Sequence, residues 1–211
     1  MAPTIVKICG ITRLEDGREA VAAGADWLGF ILKGESPRLV TPDTARSIRD
    51  GLGARATTVA VMVGPGPEEA LRLATAAGVA RVQLHGVDPA GWPADFPLPV
   101  AFAVPVAEDG ALLAPLPPRH DLVLLDTAHA ARAGGTGRTF PWFVAATVAA
   151  AFDVMVAGGL DDTNVREMLE QVMPFGVDAS SRLERTPGIK DAARVRRFVS
   201  AVRAYDGGAH D

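Results

Sequence analysis

Polar residues that can move protons stand directly after short apolar runs of this chain. Cys9, the only cysteine among 211 residues, ends the run at 5–8; His85 follows a run at 81–84; and Asp126 ends "LVLLD". A thiol, an imidazole or a carboxyl group acts as a general acid or base when its pKa lies near the working pH. Each also has a structural interpretation, as a small core residue, a satisfied histidine or a turn cap. Their placement in the fold decides between the two.

Two glycine- and serine-containing loops predict a phosphate site. "VMVAGGLDD" places Gly158 and Gly159 between a strand and an acidic helix start, and "GVDASSRLE" places Ser180 and Ser181 after another strand. Exposed backbone N–H groups in such loops, beside a helix N-terminus, bind phosphate well. The alternative is that the glycines only form turns. We expect a phosphorylated small molecule as the ligand.

Other ligand motifs are weak. "GGTGRT" at 134–139 lacks the spacing and the lysine of a phosphate-binding P-loop, so we interpret residues 127–139 as a flexible loop over the active site. One cysteine and four scattered histidines without an H-x-x-x-H spacing predict no metal site.

The elements that must position these residues alternate along the chain. Predicted strands lie at 5–9, 27–31, 57–63, 81–84, 100–104, 122–126, 154–157 and 177–179. Predicted helices lie at 14–23, 42–52, 67–77, 140–151, 162–172 and 190–203, with weaker segments at 88–94 and 108–114. This alternation indicates an α/β fold with a parallel sheet. We expect a single (β/α)8 TIM barrel over residues 1–205 and a flexible C-terminal tail at 206–211; an open, doubly wound sheet is the alternative.

Composition restricts the partners and the location. The net charge is −4, from 21 basic and 25 acidic residues without a basic cluster, which argues against nucleic acid or an anionic membrane as the main partner. A lone cysteine, the lack of a signal-peptide pattern and the lack of an apolar run of about 20 residues favour the cytoplasm.

The barrel hypothesis brings the polar residues together. Active sites of (β/α)8 barrels lie at the C-terminal ends of the strands, and the loops after strands seven and eight commonly bind phosphate. Cys9, His85, Asp126 and the two loops all follow predicted strands, and Arg38 lies in the loop after the second. Shared placement favours a functional site over separate structural roles.

With these residues identified, the chain resembles the phosphoribosylanthranilate isomerases of tryptophan biosynthesis. The matching stretches run in family order over nearly the whole chain: "KICGIT" (7–12), "ADWLGFIL" (25–32), "SPRLVTP" (36–42), "VAVMV" (59–63), "VQLHG" (82–86), "LLDTA" (124–128), "GGTGRTFPW" (134–142), "AGGL" (157–160) and "GVDASSRLERTPGIKD" (176–191). Jointly these motifs are highly specific.

The resemblance implies a cofactor-free barrel enzyme, a monomer or homodimer. It implies an Amadori rearrangement of N-(5-phosphoribosyl)anthranilate to 1-(o-carboxyphenylamino)-1-deoxyribulose 5-phosphate. Asp126 would protonate the ring oxygen, Cys9 would remove the C2′ proton and Arg38 would hold the anthranilate carboxylate. Other implied roles are substrate binding by Lys7, His85 and Asp178, and phosphate binding by Gly158, Gly159, Ser180 and Ser181.

The roles require shifted pKa values. Lys7 lies two residues before Cys9 on the same strand face, so its ammonium is expected to lower the pKa of the thiol. The pKa of Asp126 must rise for this residue to carry a proton, and burial would raise it.

The chain departs from the family pattern at two positions. Arg182 stands where the family usually has glycine, so a positive φ would be strained there, or the guanidinium would contact the phosphate. Pro141 replaces an acidic or amide residue.

Two other functions remain open from the residues alone. A related phosphosugar barrel would use Lys7 as a Schiff-base lysine, and a sensor would bind a phosphosugar without chemistry. A second, histidine-pathway activity is disfavoured, because that activity is normally accompanied by acidic residues on both the first and the sixth strand, and the first strand carries Cys9.

Overall fold

Eight parallel strands close into a barrel in the computed structural model, which describes residues 2–118, 121–128 and 139–208. The last strand pairs with the first, with Lys7 opposite Asp178. This closure confirms the (β/α)8 prediction and excludes the open, doubly wound sheet. The strands are β1 Ile5–Cys9, β2 Trp27–Lys33, β3 Thr57–Val63, β4 Arg81–His85, β5 Val100–Val106, β6 Leu122–Thr127, β7 Val154–Val156 and β8 Gly176–Ala179.

Six α-helices surround the barrel in the described part of the chain. They are α1 Leu14–Ala23, α2 Pro42–Leu52, α3 Pro67–Ala77, α4 Phe143–Ala149, α5 Val165–Val172 and α6 Ala192–Gly208. The first three have the predicted bounds. α4 begins later than predicted, after Pro141, whose carbonyl accepts the N–H of Val144 at 3.1 Å. α5 begins later because the Asp161 carboxylate accepts the N–H of Thr163 at 2.9 Å, which forms a turn before the helix.

Two crossovers depart from the strand–helix alternation. The weak segment at 88–94 contains only a 3-10 turn, Pro89–Gly91, and the weak segment at 108–114 contains no described helix. Prolines at 89, 93, 97 and 99, and at 105, 115, 117 and 118, explain this, because proline supplies no backbone N–H to a helix.

The C-terminal boundary differs from the prediction. Residues 206–208, the first part of the predicted tail, continue α6, and residues 209–211 lie outside the described ones, so the flexible tail stays a prediction. Asp206 holds this end of the helix, because its carboxylate accepts the hydroxyl of Thr4 at 2.7 Å and pairs with Arg203 at 3.2 Å. α6 also starts later than the predicted 190, since Lys190 belongs to a hairpin of β9 Glu184–Thr186 and β10 Ile189–Lys190.

The alternation of side chains along the strands separates two cores. Val6 and Ile8 face the helices, in the main core, whereas Lys7 and Cys9 of the same strand face the barrel interior. A smaller apolar cluster fills part of the interior: Trp27, Val59, Ala101, Ala103, Leu122, Leu124, Met155 and Ala157. The guanidinium of Arg81 covers the Trp27 ring at 4.5 Å. The interior is therefore closed by apolar packing toward the N-terminal ends of the strands, and its polar residues gather at the C-terminal ends.

Candidate active site

A cavity of about 210 Å³ opens at the C-terminal ends of the strands. Most of the predicted site residues line it: Cys9, His85, Asp126, Gly158, Gly159, Asp178, Ser180 and Ser181. Lys7 and Arg38 are not among its lining residues: Lys7 pairs with the lining residue Asp178, whereas Arg38 pairs with Glu184, which is not in the lining. The fold thus brings together groups that are separated by up to 172 residues in sequence, as the barrel hypothesis requires.

A larger hollow of about 670 Å³ beside the starts of β2 and β3 carries different chemistry. Two of its charged side chains serve the fold, because Arg49 donates to the carbonyl of Gly78 at 2.7 Å and Asp26 pairs with Arg203 at 2.6 Å. Its described lining holds no thiol and no imidazole. The cavity at the C-terminal ends is therefore the candidate active site.

Lys7 and Asp178 form a buried ion pair beneath the cavity. They face each other on β1 and β8, with Nζ 2.8 Å from Oδ2, and Lys7 is fully buried. The other carboxylate oxygen, Oδ1 of Asp178, is buried and has no partner among the described residues. An unpartnered buried acceptor is costly, so this oxygen is positioned to accept a hydrogen bond from a hydroxyl group of a ligand.

Gly29 makes room for the thiol and the ammonium. A Cβ at this position on β2 would lie 3.0 Å from Sγ of Cys9 and 3.1 Å from Nζ of Lys7. No role for Gly29 was predicted from the sequence, although a glycine inside a strand often marks a close approach. The absence of a side chain there allows Lys7 and Cys9 to lie side by side.

The pKa of Cys9 is shifted upward, whereas the sequence predicted a downward shift. Burial raises the pKa of the thiol, and the nearby charges of Lys7 and Lys190 lower it only in part. Lys7 acts in the predicted direction, but desolvation of the thiolate outweighs it in the free protein. The thiol therefore needs either alkaline pH or an additional positive charge to ionise.

We expect kcat/KM to rise with pH into the alkaline range, because the thiolate fraction grows as the pH passes through the raised pKa of Cys9. The rise should extend above the ordinary thiol pKa of about 8.5, since kcat/KM reports ionisations of the free enzyme. A pH–rate profile tests this, with the rate of iodoacetamide alkylation of the single cysteine as a parallel readout. A plateau of both rates below neutral pH would contradict the raised pKa.

Asp126 lies at the end of β6, opposite Pro105 of β5 in the register. It lines the cavity and is half-buried. In the closed barrel, β6 is separated from β1 by β7 and β8, so Asp126 and Cys9 reach the cavity from non-adjacent strands. A ligand between them would meet a carboxyl group and a thiol on different sides.

His85 is a neutral hydrogen-bonding group. Burial, with a smaller contribution from the charge of Lys7, lowers the pKa of His85 to about 4. Its Nε2 lies 2.8 Å from Nε2 of Gln83. Because an amide nitrogen donates, the ring Nε2 accepts and Nδ1 carries the hydrogen. His85 therefore offers an N–H donor rather than a cation.

Arg38 is held beside the cavity by a residue that sequence analysis did not single out. Its Nε and Nη2 donate to the two oxygens of Glu184 at 2.8 and 2.7 Å. Lys190 also donates to Glu184, at 2.9 Å, and this carboxylate is buried. The Glu184 pair orients the guanidinium, and among the described residues Nη1 of Arg38 has no acceptor.

Replacing Glu184 by glutamine is expected to raise KM about tenfold, with a smaller effect on kcat, because the amide cannot accept both N–H groups of Arg38. Steady-state kinetics would test this. Glu170→Gln removes a carboxylate from an exposed pair with Arg166 and serves as the matched control. A KM equal to that of the wild type, with an unchanged melting temperature, would show that Glu184 does not position Arg38.

The two predicted phosphate loops have the expected backbone. Gly158 and Gly159 have φ values of 87° and 73°, and a Cβ on Gly158 would overlap Thr127. Within the described residues, the N–H groups of Gly159 and Ser181 donate to no protein acceptor. The Ser180 hydroxyl donates to the carbonyl of Cys9 at 3.1 Å. The loops therefore offer backbone donors, and Ser180 also ties the loop after β8 to β1.

Arg182 is accommodated without backbone strain. Met173 is the only non-glycine residue with positive φ in the described part of the chain, so the strained conformation considered for Arg182 does not occur. Its Nη1 donates to Oδ2 of Asp161 at 3.0 Å, and Arg182 is one of the residues that line the cavity.

Part of the predicted site lies outside the described residues. The predicted loop at 127–139 falls mainly on residues 129–138, which the structure does not describe. Among the described residues, no group of three or more His, Cys, Asp and Glu side chains has an arrangement that would hold a metal ion. No described helix is both long enough and apolar enough to cross a membrane.

The closed barrel and the polar cavity at the C-terminal ends of its strands define a (β/α)8-barrel enzyme. The family model described as N-(5'phosphoribosyl)anthranilate (PRA) isomerase matches residues 6–201. The chain belongs to this family. This confirms the family resemblance found in the sequence.

Relatives and solved structures agree with the assignment. The chain is 43% identical to the N-(5'-phosphoribosyl)anthranilate isomerase of Geobacter sulfurreducens over 203 residues, which is 95% of this chain and 98% of that protein. It is 41% identical to the enzyme of the same name from Rubrobacter xylanophilus, over 94% of this chain and 98% of that protein. The crystal structure of the Thermus thermophilus phosphoribosyl anthranilate isomerase superposes with a TM-score of 0.81 at 33% identity, over 95% of this chain and 99% of that one.

Proposed function

We propose that this chain converts N-(5-phosphoribosyl)anthranilate to 1-(o-carboxyphenylamino)-1-deoxyribulose 5-phosphate by general acid–base catalysis. The observation that carries the proposal is one cavity lined by Cys9, Asp126 and both phosphate loops. A related structure, at a TM-score of 0.78 and 31% identity, covering 95% of this chain and 99% of that one, is described as a complex with the reduced product, which fits a phosphosugar substrate.

The first step opens the ribose ring. Asp126 donates a proton to the furanose oxygen, and the bond from C1′ to that oxygen breaks. The lone pair of the anthranilate nitrogen forms a double bond to C1′, giving a protonated Schiff base. A carboxyl group at a half-buried strand end that lines the cavity is placed to carry out this step.

The second step removes the C2′ proton. The thiolate of Cys9 takes this proton, and the electrons of the C–H bond neutralise the Schiff base to give an enolamine. The enol proton then leaves O2′ and C1′ gains one, which yields the ketone. The cationic Schiff base places positive charge beside the thiol and so favours its ionised form at the moment when the base is needed.

The remaining residues bind and orient the substrate. The free N–H groups of Arg38 hold the anthranilate carboxylate, and the unpartnered Oδ1 of Asp178 accepts a ribose hydroxyl. Lys7 keeps Asp178 in place, and His85 offers its N–H. The backbone donors of the loops at 158–159 and 180–181 bind the phosphate.

The proposal also includes a cytoplasmic location and a monomeric or homodimeric assembly. The single cysteine and the biosynthetic role favour the cytoplasm. A monomer or a homodimer fits the relatives, one of which, from Thermotoga maritima, is described as mutually generated monomers of a dimeric enzyme. No cofactor is required by the chemistry, since one proton is donated and one is removed.

The Schiff-base alternative is weakened by the environment of Lys7. The pKa of Lys7 is raised, because Asp178 and Cys9 together outweigh the lowering effect of burial. A lysine nucleophile must be neutral, whereas Lys7 remains an ammonium paired with Asp178 at 2.8 Å.

Growth complementation tests the function as a whole. The gene for this chain should restore growth without tryptophan to a bacterial strain that lacks phosphoribosylanthranilate isomerase. Borohydride treatment with substrate should leave Lys7 unmodified. Failure to grow although the folded protein accumulates would contradict the activity, and a trapped adduct on Lys7 would favour the Schiff-base reaction.

A further inference from the structure

We propose that Arg182 is a further phosphate-binding residue, which supplies the phosphate site of this chain with a fixed cation. The proposal deepens the function proposed above and rests on it. Arg182 directly follows Ser180 and Ser181 and lines the same cavity as Gly158 and Gly159, and its side chain reaches Asp161 of the loop after β7. Where this chain has arginine, the family pattern usually has glycine, so the contact would distinguish this chain from most of its relatives.

The charge of the cavity favours such a group. Arg182 is the only lysine or arginine among the described residues that line it. The lining also contains Asp126 and Asp178, and His85 is neutral at neutral pH because burial, with a smaller effect of Lys7, lowers its pKa to about 4. A phosphate dianion bound only by backbone N–H groups would enter a cavity that is otherwise neutral or acidic. A guanidinium beside the loops compensates this charge.

The guanidinium is oriented before a ligand arrives. Its Nη1 donates to Oδ2 of Asp161 at 3.0 Å, and Oδ1 of Asp161 is itself fixed by the N–H of Thr163 at 2.9 Å. The pair links the loop after β8 to the loop after β7, which are the two sides of the proposed phosphate site. Among the described residues, Nε and Nη2 of Arg182 have no acceptor, so they remain for phosphate oxygens.

The backbone around Arg182 supports a side-chain role. Since φ is not positive at this position, no conformational reason calls for glycine. The side chain is 36% exposed, so solvent screens its charge and the expected contribution is moderate.

The test compares a reduced product analogue with the same analogue lacking its phosphate, each titrated by calorimetry. Arg182→Gln should weaken the phosphorylated analogue about tenfold and leave the other within about twofold. KM should rise in parallel while kcat is nearly unchanged, and raising the salt concentration should weaken binding less in the variant than in the wild type. Arg197→Gln, which removes an exposed arginine paired with Asp162 outside the cavity, is the matched control.

The outcomes separate this proposal from the proposed function. Equal weakening of both analogues, or of neither, would overturn the role of Arg182 even if the chain is an active isomerase. If the wild type does not turn over substrate, titration with inorganic phosphate still tests whether Arg182 binds phosphate. Loss of phosphate binding in Arg182→Gln but not in Arg197→Gln supports this role. Equal binding by both variants refutes it. Arg182→Lys keeps the positive charge but lacks the planar guanidinium. Its affinity for phosphate should lie between those of the wild type and the glutamine variant.

Discussion

Asp126→Asn is expected to lower kcat about 10²- to 10⁴-fold, which is the range for loss of a general acid or base. The amide has nearly the shape of the carboxyl group, so β6 and the cavity should keep their geometry. It cannot deliver a proton to the ring oxygen, and the ring then opens without assistance. The loss should appear in kcat at saturating substrate, with KM changed little, because Asp126 is assigned to the chemical step and not to binding.

A matched variant separates the acid from general charge effects. Asp153→Asn removes an exposed carboxylate at the opposite end of the barrel, before β7, and should leave kcat unchanged. If Asp126→Asn retained most of the wild-type kcat with the same product, another group would have to protonate the ring oxygen, and the assignment of Asp126 would be wrong.

Cys9→Ser is expected to lower kcat by a similar factor of about 10²- to 10⁴-fold. A serine hydroxyl fills nearly the same space beside Gly29 but does not ionise at accessible pH, so it cannot take the C2′ proton. The alkaline rise of kcat/KM, which we assign to the thiol, should disappear in this variant.

Cys9→Asp provides the second arm of this prediction. The ordinary pKa of an aspartate lies well below that of a thiol, so the carboxylate should recover part of the lost activity, and its rate should rise at lower pH than that of the wild type. A serine variant as active as the wild type would show that Cys9 is a core residue without a catalytic role. The kinetic comparison is valid only for variants whose melting temperatures lie within a few degrees of that of the wild type.

Much of the barrel could be predicted because its elements follow simple local patterns. β3 has the predicted bounds since it is an uninterrupted apolar or β-branched run, and β1 has them since only Lys7 interrupts such a run. α2 begins at the predicted residue since Thr41 caps it and Pro42 opens it. The crossovers after β4 and β5 were harder to predict, because their prolines disfavour a helix without specifying another conformation. The start of α5 depended on one side chain, Asp161, whose hydrogen bond to Thr163 is a local choice between turn and helix.

The site could be predicted where strand ends alone determine placement. Cys9, Asp126 and the loops at 158–159 and 180–181 reach one cavity because a closed barrel directs the C-terminal ends of all its strands to one face. Glu184 and Lys190 were not predicted as site residues, because their position depends on the hairpin of β9 and β10, which no periodic pattern indicated. The net pKa shift of Cys9 could not be predicted either. It is the difference between desolvation and the attraction of Lys7, and the balance depends on how deeply both groups are buried.

The most direct test of the account follows the loss of anthranilate fluorescence as N-(5-phosphoribosyl)anthranilate is consumed, with the wild type, Cys9→Ser and Asp126→Asn measured side by side. We expect turnover by the wild type and a loss of several orders of magnitude in each variant, while both variants still bind the reduced product analogue. A wild-type protein that binds this analogue but turns over no substrate would contradict acid–base catalysis by Cys9 and Asp126 and would favour a phosphosugar-binding protein on a barrel scaffold.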